Sequence, residues 1–293
     1  MSAVALPISA ARARAPWRRE WQLALPLGLF FAAFVFFPLL LLGYVSLHAE
    51  PTLQQHSLAQ YVKFFGDSFN WRVLGNTLLL GLQVTLVALV IGYPVAYLYS
   101  VSGRRVQQLL IFLVLLPLLT SAVVRTFAWI VILGRQGIIN NALLEWGVIE
   151  APLRLLYTPW AVTIALAQIE LALMVLPLIT ALGHIDPNLA HASRALGAGR
   201  WQTFFQVTLP LSTPGLLAGC LLVFAAAVSA FVTQTLVGGG QQLFMPFYIY
   251  QQAVQVNDYP FAATIAMALL LSVLAIVTAV NILGRRSKGF VHG

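Results

Sequence analysis

The chain has 293 residues, 60% of them hydrophobic and 8% charged, with a formal net charge of +8. A soluble domain is about a quarter charged, so this composition excludes a water-soluble globular protein and reads as one polytopic membrane domain. The basic residues lie beside apolar segments, which points to orientation in a bilayer rather than to nucleic acid.

Taken in chain order, residues 1–22 form a basic segment with Arg12, Arg14, Arg18 and Arg19. The apolar stretch 23–47 exceeds the core of a signal peptide and suits an uncleaved first span. Further apolar segments cover 74–100, 106–133, 160–182, 214–237 and 261–283. Each must be helical, because backbone exposed to lipid has to satisfy its own hydrogen bonds. The expected fold class is therefore an all-α membrane protein with six transmembrane helices, spanning 23–283 and followed by a short tail, 284–293.

The outer loops, 48–73, 134–159 and 238–260, are longer than simple connectors. "GIINNALLEWGVI" suits a short amphipathic helix at the outer surface, and "VGGGQQLFMP" should turn sharply. Pro38, Pro117 and Pro177 fall in or near spans, where they either kink helices around a pathway or are simply tolerated by packing.

Arg12, Arg14, Arg18, Arg19, Arg104, Arg105, Arg194, Arg200, Arg285, Arg286 and Lys288 fall on the N-terminal side of the spans. Lys63, Arg72, Arg135 and Arg154 are all the opposite loops hold. That excess places both termini and the 183–213 loop in the cytoplasm. Trp17, Trp21, Trp71 and Trp160 fit interfacial belts.

Signs of chemistry are few. Neither Lys63 nor Lys288 follows a glycine, so no phosphate loop is present. There is no H-E-x-x-H or G-x-S-x-G, and the five histidines have no metal-gathering spacing. Cys220 is the only cysteine and lies in an apolar run, so it reads as an inert buried side chain. Arg125 and Glu170 are the charges within spans. Charge in a bilayer is costly unless it is paired or faces water. Glu170, with Gln168 beside it, is a candidate for a polar solute pathway; Arg125 and Gln234 are weaker ones. The structural alternatives are an Arg125–Glu170 pair, or Arg125 snorkelling to the outer interface.

The stretch "HASRALGAGRWQTFFQVTLP", residues 191–210, interrupts this apolar pattern. Asp186-Pro187-Asn188 reads as a helix start, with a capping aspartate and proline in the first position. Leu189, Ala192 and Leu196 share one face; Gly197, Ala198 and Gly199 end that helix or admit another backbone. Arg200, Trp201, Phe204 and Phe205 open a second amphipathic piece running to Leu209-Pro210. A helix resting on lipid headgroups explains the aromatics but gains nothing from Gly197 and Gly199. A protein partner that receives the helix end explains both.

The same stretch resembles the cytoplasmic signature loop of permease subunits in binding-protein-dependent ABC importers. His191-Ala192-Ser193 stands where that family has Glu-Ala-Ala, Gly197 matches its glycine, and Val207 and Leu209-Pro210 fall at the expected distance. Histidine, serine and valine depart from the pattern, so a salt bridge from the family's glutamate does not carry over to His191. "PLLTSAVVRTFAWIVILGRQGIINNALL" and "LVGGG" are similar to the spermidine/putrescine-type branch. The resemblance implies a type I importer permease fold in a bacterial inner membrane. It implies a coupling helix, within about 184–210, that docks on a separate cytoplasmic ATPase dimer, with Asp186 and Gly199 among the coupling residues. It also implies a periplasmic solute-binding protein, a second and similar permease, and alternating access. ATP and magnesium would belong to the ATPase, with no cofactor on this chain. The solute would be a polyamine or a similar small organic molecule, although opines, amino-acid derivatives and phosphonates remain open. An ion-gradient-driven secondary transporter, and a membrane-integral enzyme or scaffold, are the competing classes; one intramembrane carboxylate supports the former thinly, and nothing supports the latter.

Overall fold

A computed structural model describes residues 25–50, 52 and 55–288. The basic segment 1–22, with its arginines, Trp17 and Trp21, lies outside the described residues, as does the tail beyond 288. Among the described residues there are helices and no strands; an isolated antiparallel bridge joins His48 and His56.

The first span is α1, Leu25–Ser46. A short helix, α2 (Ala59–Gly66), leads to α3 (Ser68–Val101), which starts on an Asp67 cap accepting from the Phe69 N–H. The third span, expected to be unbroken, consists of two helices, α4 (Arg104–Leu118) and α5 (Ala122–Leu133). Thr120 marks the interruption: its Oγ1 donates to the Pro117 carbonyl at 2.8 Å, the acceptor that the next turn of an unbroken helix would use. After α6 (Ile138–Glu145) the fourth span is also broken: α7 (Pro159–Ile169) meets α8 (Leu171–Gly183) at 45°, with Glu170 at the joint. Five helical stretches are long and apolar enough to cross a membrane, one of them Ala122–Glu145 (α5 and α6 taken together), or six with this bent pair as one span.

The cytoplasmic-loop candidate forms α9 (Pro187–Ala195), then α10 (Arg200–Ser229). Leu209-Pro210 does not end a helix; α10 runs straight through it. A π-turn at Phe204–Thr208 precedes that proline, and another at Ala32–Phe36 precedes Pro38. In each case the residue before the proline bonds five residues back, widening the turn where the ring would strike a carbonyl four residues back. The fifth span stops at Ser229, breaks at Ala230 and resumes as α11 (Phe231–Gly238). Gly239 and Gly240, at φ +62° and +69°, make the expected sharp turn into α12 (Met245–Tyr250). The last span is α13 (Tyr259–Lys288).

The core gathers α3, α7, α8 and α10, with buried Val84, Leu166, Met174, Val175 and Val223. Glycines set the closest approaches. A Cβ on Gly215 would lie 2.5 Å from the Pro177 carbonyl oxygen, and one on Gly219 would lie 3.0 Å from that of Met174. The α8 backbone is thus received by a Gly-x-x-x-Gly face of α10. Tyr93 and Ser212 share a buried 2.8 Å hydrogen bond between α3 and α10. A second cluster, Phe64, Val73, Met245, Tyr248 and Ile265, ties α2, α12 and α13 to the start of α3. There Thr77 Oγ1 accepts from the Met245 N–H at 2.9 Å, holding the first turn of α12 against α3.

Candidate functional site

Three places hold the functional candidates. The first is where the interrupted spans meet. Arg125, near the start of α5, donates from Nη1 to the Ile169 carbonyl at 2.8 Å. It forms no ion pair with Glu170; among the described residues the salt bridge is Lys63–Asp258 at 3.5 Å. One turn on, Trp129 Nε1 donates to Gln168 Oε1 at 3.1 Å. On the adjacent face of α5, Thr126 and Thr233 hydroxyls meet at 2.8 Å, joining α5 to α11. Gln234 is 1% exposed, and its Nε2 donates to the Ala227 carbonyl at 2.7 Å. That amide closes the open end of α10 at Ala230 rather than facing a channel. The structure therefore groups Arg125, Gln168 and Glu170 at one break and puts Gln234 at its neighbour, with α5 between them.

The second place is the loop between the fourth and fifth spans. Asp186 caps α9 by accepting the Asn188 N–H at 2.9 Å, with Pro187 in the first turn. Gly197 has φ +90°; its N–H bonds the Arg194 carbonyl and that of Ala198 bonds Ser193. These two bonds make a Schellman cap, which requires a left-handed residue and so explains the glycine. Leu196 is 90% exposed, and Trp201 76%. Ser193 Oγ lies 3.1 Å from Thr203 Oγ1, bracing α9 on α10. Phe204 turns inward, its ring edge-on to those of Tyr93 and Tyr97. Behind α9 is a cavity of about 480 Å³ bordered by Tyr97, Asp186, His191, Arg194 and Arg200. His191 thus borders the same cavity as two arginines. Leu209 and Pro210 lie inside α10, beyond the π-turn.

The third place was not marked in the sequence. At the opposite end of the helices a cavity of about 650 Å³ is lined by Arg72, Asn76, Gln83, Trp160, Gln241 and Gln242, among others. Arg72, Asn76 and Gln83 recur at helical spacing along α3, and that polar stripe in an apolar span was the available signal. Arg154 donates to Gln241 Oε1 at the rim. Asn140, fully buried, fixes the loop before α7 by donating to the Gly134 and Leu153 carbonyls and accepting the Leu153 N–H.

The family described as "Binding-protein-dependent transport system inner membrane component" matches residues 88–288. The spermidine/putrescine transport system permease protein PotB of Escherichia coli K12 is 38% identical over 213 residues, 71% of this chain and 78% of that protein. PotB of Haemophilus influenzae is 36% identical over 223 residues, covering 75% and 78%. The molybdenum transport permease ModB of E. coli is 33% identical over 161 residues, 53% of this chain and 68% of its own. The fold is similar to that in the crystal structure of a bacterial alginate ABC transporter in complex with alginate pentasaccharide-bound periplasmic protein. The TM-score there is 0.76 at 20% identity, covering 92% of this chain and 96% of the other.

Proposed function

This chain belongs to the family of inner membrane components of binding-protein-dependent transport systems, as a type I ABC importer permease, and from that premise we propose how it works. It forms part of a solute pathway driven by a separate ATPase, with a second permease completing the pore and a periplasmic binding protein delivering the solute. The ATPase, not this chain, binds ATP and magnesium. The solute is a polyamine or a similar small organic cation, as the spermidine/putrescine relatives support.

The observation that carries the coupling role is the tip of α9. It ends in a rigid Schellman cap, with Leu196 almost wholly exposed and Gly197 facing open space, where a Cβ would touch nothing within 4 Å. An apolar, preformed helix end of that kind fits a groove in a protein partner. Asp186 fixes the start of the helix, and His191, Ala192, Ser193 and Gly199 complete the docking segment. The Ser193–Thr203 contact and α10 carry its movement to the core, where Leu209 and Pro210 continue the same helix. ATP binding by the ATPase would move α9 and α10 together and open the spans outward; hydrolysis would reset them.

Solute would enter by the cavity at Arg72, Asn76 and Gln83 and pass Gln168 and Glu170 at the α7–α8 break. Glu170 supplies the carboxylate a cationic solute needs, and Gln168 supplies an amide; Arg125 borders the pathway, and Gln234 is packed away from it.

The test is reconstitution of the full assembly with labelled spermidine. Leu196→Glu should cut ATP-driven uptake by about tenfold or more while the permease pair still assembles, because the new charge meets the ATPase groove and the left-handed Gly197 of the cap is untouched. Wild-type uptake in that variant, or uptake by the permeases without any ATPase, would overturn the coupling role.

A further inference from the structure

In an unbroken helix the Leu173 N–H would donate to the Ile169 carbonyl, four residues back. Here it donates to the Glu170 carbonyl instead, at 3.0 Å. The freed Ile169 carbonyl is taken by Arg125 Nη1 at 2.8 Å. A side chain from α5 has thus replaced one rung of another helix's ladder. Four residues along the same face of α5, Trp129 grips Gln168, so consecutive residues at the end of α7 are held together. Arg125 Nε is buried without a hydrogen-bond partner among the described residues. The guanidinium is therefore only partly committed in this state, and the other charge within the spans, Glu170, is one residue from the carbonyl it holds.

We propose that Arg125 is a positioning residue of the transport cycle: its guanidinium holds the α7–α8 break in the bent form and releases it when the span straightens. On straightening, Leu173 N–H returns to the Ile169 carbonyl and the guanidinium passes to the Glu170 carboxylate. Its charge has a partner in both states: the carbonyl end of α7 when bent, a carboxylate when straight. The Ile169 carbonyl and the Leu173 N–H each keep a partner through the exchange, as groups in a two-state element within a bilayer must. The inference rests on the transport role proposed above, and its test can fail separately.

Spin labels at Trp160→Cys and Gly183→Cys, in a Cys220→Ala background, report the bend in the assembled transporter. With a 1.5 Å rise per residue, straightening a 45° joint between helices of this length adds about 3 Å to the label separation. Arg125→Gln should shift the distribution to the longer distance without nucleotide, and Arg125→Lys, which can still donate to the Ile169 carbonyl, should keep the shorter one. In spermidine uptake, Arg125→Gln should lower the maximal rate by about tenfold with the half-saturating concentration unchanged, and Arg125→Lys should restore most of it. An unchanged distance in Arg125→Gln overturns the proposal whether or not uptake is seen. A raised half-saturating concentration at unchanged maximal rate also overturns it, by making Arg125 a solute contact. Absence of ATP-driven uptake in the wild type rejects the transport role and leaves the distances to decide the switch.

Discussion

Among single residues, Gln234 separates a structural amide from a solute contact. Sequence position alone allows either, since a polar side chain in an apolar span has to meet water or a partner. In the fold it reaches back seven residues to the Ala227 carbonyl, which otherwise holds only a long 3.4 Å bond from the Ala230 N–H. Gln234→Leu should therefore destabilise the protein by about 0.5–1.5 kcal/mol, the net worth of one intramolecular hydrogen bond, without altering the half-saturating solute concentration. Thermal unfolding in detergent and uptake kinetics measure the two effects separately. Gly197 shows the opposite case. Its spacing to Leu209-Pro210 and its place at a helix end were legible in the sequence. The left-handed conformation that makes glycine necessary there is a local property, read from φ +90°.

At the scale of the element, the interruptions matter more than the spans. Hydropathy is an average over many residues, so it passes smoothly across Leu119–Ser121, Glu170 and Ala230, where the backbone in fact departs from the helix. The break at Glu170 has no proline or glycine to announce it, and it depends on donors from α5 that lie 44 and 39 residues away in sequence. The Gly-x-x-x-Gly face of α10 was visible as Gly215 and Gly219 but had no assigned neighbour until α8 lay against it. Gly215→Ala should push α10 off the Pro177 carbonyl and cost about 1–3 kcal/mol. Gly75→Ala, in α3, meets nothing within 4 Å and should leave stability unchanged or slightly raised, as alanine is the better helix former. Thermal unfolding of the two variants side by side tests the contact.

Across the whole molecule, the polar features divide between two ends. Residues Arg194 and Arg200 border the cavity behind α9, beside Tyr97, Ser100 and Val101 at the end of α3; Arg104 begins the next helix just beyond. Residues Arg72, Trp160, Gln241 and Gln242 line the cavity at the other end. The count of basic residues predicts that the first end is cytoplasmic. In a Cys220→Ala background, an impermeant maleimide applied to intact spheroplasts should label Gln242→Cys and spare Leu196→Cys. The reverse pattern would invert the assigned topology and remove the ATPase from α9.

The sequence by itself determined that the chain is helical and membrane-embedded, where its apolar segments lie, and which short loop resembles a coupling segment. Those properties follow from composition, from the need to satisfy backbone bonds in lipid, and from spacings within one stretch of chain. Only the tertiary structure decided that Arg125 completes the ladder of a different helix, that Gln234 seals a helix end, and that Arg72, Asn76 and Gln83 face a cavity. Each of these depends on which helix lies against which, and packing of that kind is set by pairs of residues far apart in the chain.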